Sequence, residues 1–288
     1  MTAVEPRAEI DVRADGLDAM FRPRSIAVVG ASANPDKAGN AMMQALRLFP
    51  GRLVPVNPRG GHVLGIEAVA RLSDAGGTDL AVLVVPPHAV PAALEDAALA
   101  GVRAAVVCAG GFAESGPDGA LLQERVATVA REGGIRVLGP NTSGFMNPGE
   151  GATANFMPAV AELSAGSVSV VAQSGGVNLS IAFLLASAGI GLRLGVGLGN
   201  AVDVDFPELV DYLAADDATT AIGLHVEGVA DGPALVAALR RATARKPVVA
   251  LKVGRSDVSE FARSHTGAMT GSFELTRAAL RQAGAVVV

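Results

Sequence analysis

Short apolar, β-rich runs alternate along the chain with longer segments whose apolar residues recur at helical spacing. In the first half the runs are Ser25–Gly30, Leu53–Asn57, Asp79–Val85, Ala104–Cys108 and Arg136–Gly139, and Ala38–Phe49, Val90–Ala100 and Gly119–Glu132 carry the helical pattern. Strands that alternate with helices predict βαβ units and a parallel sheet. This series predicts one five-strand doubly wound domain over residues 21–148. Residues 149–164 show few periodic signals and read as a loop-rich linker. A second series follows over residues 165–288, with strands at Ser167–Ala172, Leu192–Leu198, Ala221–Val226 and Val248–Val253, and helices at Val177–Ser187, Pro207–Ala214, Gly232–Arg245 and Phe273–Ala283. It predicts another open α/β sheet, of flavodoxin-like size. The run Ala285–Val288 starts a fifth strand and ends inside it, as a piece of a longer protein would.

Composition fits such sheets. Of 288 residues, 50% are hydrophobic but only 3% are aromatic, with no Trp, so the core must rest on Ala, Val, Leu and Ile. A net charge of −5 argues against nucleic acid or an anionic membrane surface as a partner held by bulk charge. A single cysteine excludes an internal disulfide framework and points to a reducing, cytoplasmic compartment. Cys108 ends an apolar run and reads as a small core residue. Residues 1–20 are rich in charge, including Glu5, Arg7, Glu9, Asp11, Arg13, Asp15 and Asp18, which predicts a solvated tail and no signal peptide. The uncharged stretch Leu163–Leu192 has the length of a membrane span, but Gln173-Ser174-Gly175-Gly176 and Asn178 divide it into a strand and a helix.

Candidate chemistry lies at the carboxyl ends of the strands, where open α/β sheets bind ligands. Strand Ser25–Gly30 runs through Gly30, Ala31 and Ser32 to Gly39 and a helix, an arrangement that offers backbone N–H groups and a helix dipole to phosphate. It is not the dinucleotide fingerprint: Ser32 stands at the second glycine, and Asn57-Pro58-Arg59 replaces the acid that would hold a ribose. A nicotinamide dehydrogenase is thereby disfavoured, and a phosphate-rich adenine nucleotide stays open. Val85-Pro86, Ala109-Gly110 and Pro140-Asn141 follow later strands; as Pro and Gly they also serve to close tight turns.

In the second series Ser174-Gly175-Gly176 opens a helix, either as a phosphate cradle or as an ordinary capped start. Asp203 and Asp205 lack a third ligand of suitable spacing, so no metal site is expected and capping of the next helix is the simpler role. Glu227 ends the third strand, and His225 shares its strand face. The connection from Gly254 to Ser272 is far longer than such loops usually are and holds His265. Ser174, Glu227 and His265 thus belong to one sheet edge. A neutral histidine oriented by a carboxylate can act as a nucleophile toward phosphorus, with a helix N-terminus opposite to hold the phosphoryl oxygens. The other reading of His265 is a buried structural histidine.

Phe21-Arg22-Pro23-Arg24-Ser25-Ile26-Ala27-Val28-Val29-Gly30-Ala31-Ser32, Pro55-Val56-Asn57-Pro58, Gly111-Phe112-Ala113-Glu114, Gly139-Pro140-Asn141, Gln173-Ser174-Gly175-Gly176 and Ser264-His265-Thr266-Gly267 occur in that order. In this order they resemble the NDP-forming acyl-CoA synthetases and the α subunit of succinyl-CoA synthetase, from about Phe21 to the end. The resemblance implies a Rossmann-like CoA-binding domain followed by a flavodoxin-like doubly wound ligase domain with a phosphohistidine loop. It also implies an ATP-grasp domain or subunit as partner, through which ATP, ADP and Mg²⁺ enter, and a small carboxylic acid as substrate. Acyl-CoA and phosphate would give an acyl phosphate, which phosphorylates the histidine, which passes the group to ADP.

By the same resemblance His265 is the phosphorylated residue, Glu227 its orienting acid, and Ser174, Gly175 and Gly176 the phosphate cradle. Coenzyme A would lie against Gly30, Ala31, Ser32, Gly39, Asn57, Arg59, Val85, Pro86, Ala109, Gly110, Pro140 and Asn141, with Arg59 suited to its 3′-phosphate. There are two departures. Thr142 stands where many members have Cys, and no ATP-grasp region is present. The acyl group, the choice between ADP and GDP, and homo-oligomerisation are left open. A non-catalytic CoA-sensing module is the rival reading, against which the retained His265 and Glu227 argue.

Overall fold

A computed structural model of the chain describes residues 12–254 and 273–288. Helix α1 (Val12–Phe21) precedes β1 (Ser25–Val29), α2 (Ala38–Ala45), β2 (Arg52–Val56), a small hairpin of β3 (His62–Val63) and β4 (Ile66–Glu67), β5 (Leu80–Leu83), α3 (Val90–Leu99), β6 (Ala104–Val107), α4 (Pro117–Glu132) and β7 (Arg136–Leu138). Five parallel strands stand in the order β2-β1-β5-β6-β7. β5 and β6 are buried at every position, which explains why they read as unbroken apolar runs. The chain leaves β1 in one direction to make β2 and returns on its other side as β5, so the topological switch lies between β1 and β5.

The second sheet repeats the plan. β8 (Phe145–Met146), β9 (Ala165–Ala172), α5 (Gly175–Ser187), β10 (Leu192–Gly197), α6 (Phe206–Ala215), β11 (Ala221–Val226), α7 (Gly232–Thr243), β12 (Val248–Lys252), α8 (Phe273–Gln282) and β13 (Val286–Val287) follow one another. The order is β13-β12-β11-β9-β10-β8, parallel except for β8, and the switch lies between β9 and β11. Local chemistry starts the helices: Pro117 opens α4, and Asp205 and Asp231 cap α6 and α7 through backbone N–H groups of Phe206 (2.7 Å) and Ala234 (2.9 Å).

Two expectations need correction. The region expected to be a solvated tail includes α1, because Leu17, Met20 and Phe21 recur at i, i+3 and i+4 and are buried. Phe21 stacks edge-on against Phe145, 5.3 Å between centroids, and Tyr212 donates to Asp18 at 2.9 Å. Phe145–Met146, expected within the first domain, adds an antiparallel edge strand to the second sheet. The linker is irregular and packed in: Ala152, Thr153, Ala154 and Asn155 are buried, and Thr153 donates to the Ala45 carbonyl at 2.7 Å. One hydrophobic cluster consequently runs from Ile26, Val106 and Phe21 through Phe145 to Val196, Leu209 and Leu239, joining both sheets.

Candidate functional site

At the first switch the turn after β1 is pulled tight. Gly30 adopts φ +91°, and a Cβ there would come within 2.2 Å of the Val84 carbonyl oxygen at the end of β5. A Cβ at Gly39 would lie 2.0 Å from the Gly30 carbonyl oxygen, so both glycines are required by close backbone approach. Asn57 donates to the Ala31 carbonyl (2.9 Å) and accepts from the Arg59 N–H (2.9 Å), while Asn40 donates to the Ser32 carbonyl (2.9 Å). The turn is therefore fixed by side chains from β2's end and from α2. Among the described residues no side chain caps α2, whose N-cap position is Lys37, and a helix start of this kind can receive an anion.

The second switch brings two of the expected residues together. The Gln173 Oε1 accepts from the backbone N–H of Glu227 (2.6 Å) and of Gly228 (3.0 Å). Gln173 directly precedes Ser174, so the end of β11 is tied to the start of α5. Ser174 caps that helix, accepting from the Val177 N–H at 3.4 Å. Glu227 Oε1 stands 3.9 Å from Nδ1 of His225, which is 2% exposed, and this Nδ1 has no hydrogen-bond partner among the described residues. Burial, and then the charge of Lys252, lower the pKa of His225, so it is held neutral. Lys252 is buried at the end of β12, and its Nζ donates to the carbonyls of Glu227 (2.9 Å) and Val253 (2.6 Å). His265 lies outside the described residues, in the connection that follows β12, the neighbour of β11.

The segment Gly139–Gly144 joins the two edges. Asn141, at φ +58°, donates through its backbone N–H to Ala109 (2.8 Å) and through Nδ2 to Asn200 Oδ1 (3.3 Å). Asn200 Nδ2 donates to Glu114 Oε2 (2.5 Å) and Gln123 Oε1 (2.8 Å), and Glu114 Oε1 accepts from the Gly111 and Phe112 N–H groups. Burial alone would raise the Glu114 pKa; the Asn200 and backbone hydrogen bonds outweigh it and hold the carboxylate below its usual value. Thr142 donates to the Gly197 carbonyl, and Ser143 lies against the start of α5, where a Cβ on Gly175 would come 2.8 Å from Ser143 Oγ.

Gly30, Ala31, Ser32, Gly39 and Asn57 thus meet around the turn between β1 and α2, with Val85 beside Gly30. Ala31 and Pro140 are themselves buried, whereas Pro86 and Arg59 are exposed. Asp205 caps α6 as expected. Asp203 instead accepts from Arg136 Nε (2.9 Å) and the Val137 N–H (2.8 Å), binding the two sheets. Roles for Gln173, Lys252, Ser143 and Asn200 were not read from sequence. Gln173 and Asn200 sit in the right loops, but their partners are remote in the chain. Lys252 carried the one available signal, a cation at an inward position of an alternating strand.

Residues 24–148 match the family described as CoA binding domain, and residues 165–288 the succinyl-CoA ligase like flavodoxin domain. The chain is 35% identical to subunit alpha of the ADP-forming acetate–CoA ligase II of Pyrococcus furiosus, over 94% of this chain and 59% of that one. It is 36% identical to the ADP-forming acetate–CoA ligase I of Archaeoglobus fulgidus, over 94% of this chain and 39% of that one. The dinucleotide-forming acetyl-coenzyme A synthetase 1 of Ca. Korarchaeum cryptofilum, solved with phosphate and ADP, superposes with a TM-score of 0.89 at 33% identity, covering 95% of this chain and 60% of that one. The chain spans less than two thirds of the length of these relatives. The chain thus joins a CoA binding domain to a succinyl-CoA-ligase-like flavodoxin domain, and over both it is similar to part of these ADP-forming ligases.

Proposed function

We propose that the chain is the CoA-ligase portion of an NDP-forming acyl-CoA synthetase and works with an ATP-grasp domain or subunit that handles ATP, ADP and Mg²⁺. Coenzyme A lies along the first switch, its phosphates over the Gly30–Gly39 turn and the uncapped start of α2, with Val85, Pro86, Ala109, Gly110, Pro140 and Asn141 along the neighbouring strand ends. Arg59, exposed beside Asn57, reaches the 3′-phosphate.

In the direction of acyl-CoA breakdown, phosphate displaces the thiol to give an acyl phosphate. A ring nitrogen of His265 then attacks phosphorus: the N–P bond forms, the bond to the acyl oxygen breaks, and the carboxylate leaves. Ser174, Gly175 and Gly176 hold the phosphoryl oxygens at the start of α5, and Glu227 fixes the histidine tautomer. The single observation that carries this reading is the Gln173 clamp, which sets the Glu227 backbone against the start of α5. A relative solved with phosphate and ADP supports it.

The test is acyl-CoA formation from CoA, ATP, Mg²⁺ and a panel of acids beginning with acetate. Product is expected only when the chain and the ATP-grasp half are both present, and not with His265→Ala. Product formed at the unaltered rate by His265→Ala would contradict the assignment, whereas CoA binding with no turnover on any acid would favour a sensing module.

A further inference from the structure

Lys252 is 6% exposed, a rare state for a lysine. Strand alternation turns it inward: Val248, Ala250 and Lys252 are buried while Val249 and Leu251 are exposed. Its Nζ donates to the carbonyls of Glu227 and Val253 and stands 5.7 Å from the centroid of the Phe273 ring, within cation–π reach. Three separate parts of the chain therefore meet on one ammonium. They are the end of β11 with its acid, the residue after β12, and the first residue of α8. The last two flank residues 255–272, which include His265. A methionine of similar length would fill the space without the cost of burying a charge, so packing alone gives no reason for an ammonium here.

We propose that Lys252 is a positioning residue for phosphoryl transfer, locking the Glu227 backbone to both flanks of the histidine-bearing connection. The proposal rests on the phosphohistidine reading above. Lys252 touches neither coenzyme A nor phosphate. It fixes the separation between the orienting acid and the two anchor points from which the nucleophile is presented.

The test uses the chain with its ATP-grasp half, Mg²⁺ and ATP labelled in the γ-phosphate, and follows label entering the chain. Lys252→Met is expected to slow labelling at saturating ATP roughly ten- to hundred-fold, the effect of displacing reacting groups by about an ångström. The ATP concentration for half-maximal rate and the CoA affinity stay unchanged. Lys252→Arg, which keeps the charge and the donors, restores most of the rate. Labelling of Lys252→Met at the unaltered rate overturns the proposal, and so does CoA affinity that falls in step with labelling. If Lys252→Met does not fold, a folded Lys252→Arg that binds coenzyme A but takes no label overturns it equally. Label that persists in His265→Ala overturns the phosphohistidine reading itself, and the role of Lys252 with it.

Discussion

Glu227, just past the end of β11, stands beside His225, two residues back on that strand, and their surroundings divide their roles. Glu227 is only partly buried, its side chain 20% exposed, at an edge where a histidine can be oriented. Glu227→Gln keeps the size but weakens the hold on an imidazole, and should slow phosphoryl entry about 10²-fold while leaving CoA affinity intact, as stopped-time labelling and calorimetry would show. His225 is held neutral by burial and by Lys252, with Glu227 beside it. Its folded pKa lies below its ordinary 6.5, so below that value the unfolded chain takes up a proton that the folded chain resists. This stability is fully present above pH 6.5 and is lost as pH falls toward the depressed value. Urea unfolding at a series of pH values should show the acid-side fall in the unaltered chain and a flatter one in His225→Gln.

Among the elements of the first domain, the turn that enters α2 is a demanding piece of backbone. Gly39→Ala would place a methyl 2.0 Å from the Gly30 oxygen, and the turn must open to admit it. CoA affinity should drop by at least about ten-fold, with a stability cost of about 1–3 kcal/mol, both measurable by calorimetry. An unchanged affinity would remove this turn from the CoA site.

Such elements were legible in the sequence to different degrees. The parallel strands are buried apolar runs between helical patterns and can be placed from the sequence, as can Ser174-Gly175-Gly176 and Glu227 at the ends of two of them. Helix α1 was hidden because Arg13, Asp15 and Asp18 crowd its short apolar stripe. β8 has only Phe145 and Met146, too few to show a period, and its partners lie on a strand about fifty residues on. The clamps of Gln173, Lys252 and Asn200 depend on which loop ends the fold brings together, and no local pattern encodes that.

At the scale of the molecule, the two sheets share a core instead of meeting across a wet boundary. Phe21, Phe145 and Tyr212 stack at the junction, Arg136 bridges Asp203 and Glu208, and Arg193 and Arg22 both bind Asp216. Phe145→Ala should cost about 3–5 kcal/mol and lower a single unfolding transition in calorimetry. Two separated transitions would show that the halves fold independently. The continuous core gives the two switch-point edges a fixed separation, bridged by Gly139–Gly144, as the proposed relay between two chemical steps requires.

The proposed function requires His265 to take a phosphoryl group at this pair of edges. The most direct measurement is mass spectrometry of the chain, kept at alkaline pH, after incubation with its ATP-grasp half, ATP and Mg²⁺. One acid-labile phosphate is expected, located on His265 and lost on adding ADP. Phosphate on any other residue, or label undiminished in His265→Ala, would contradict it.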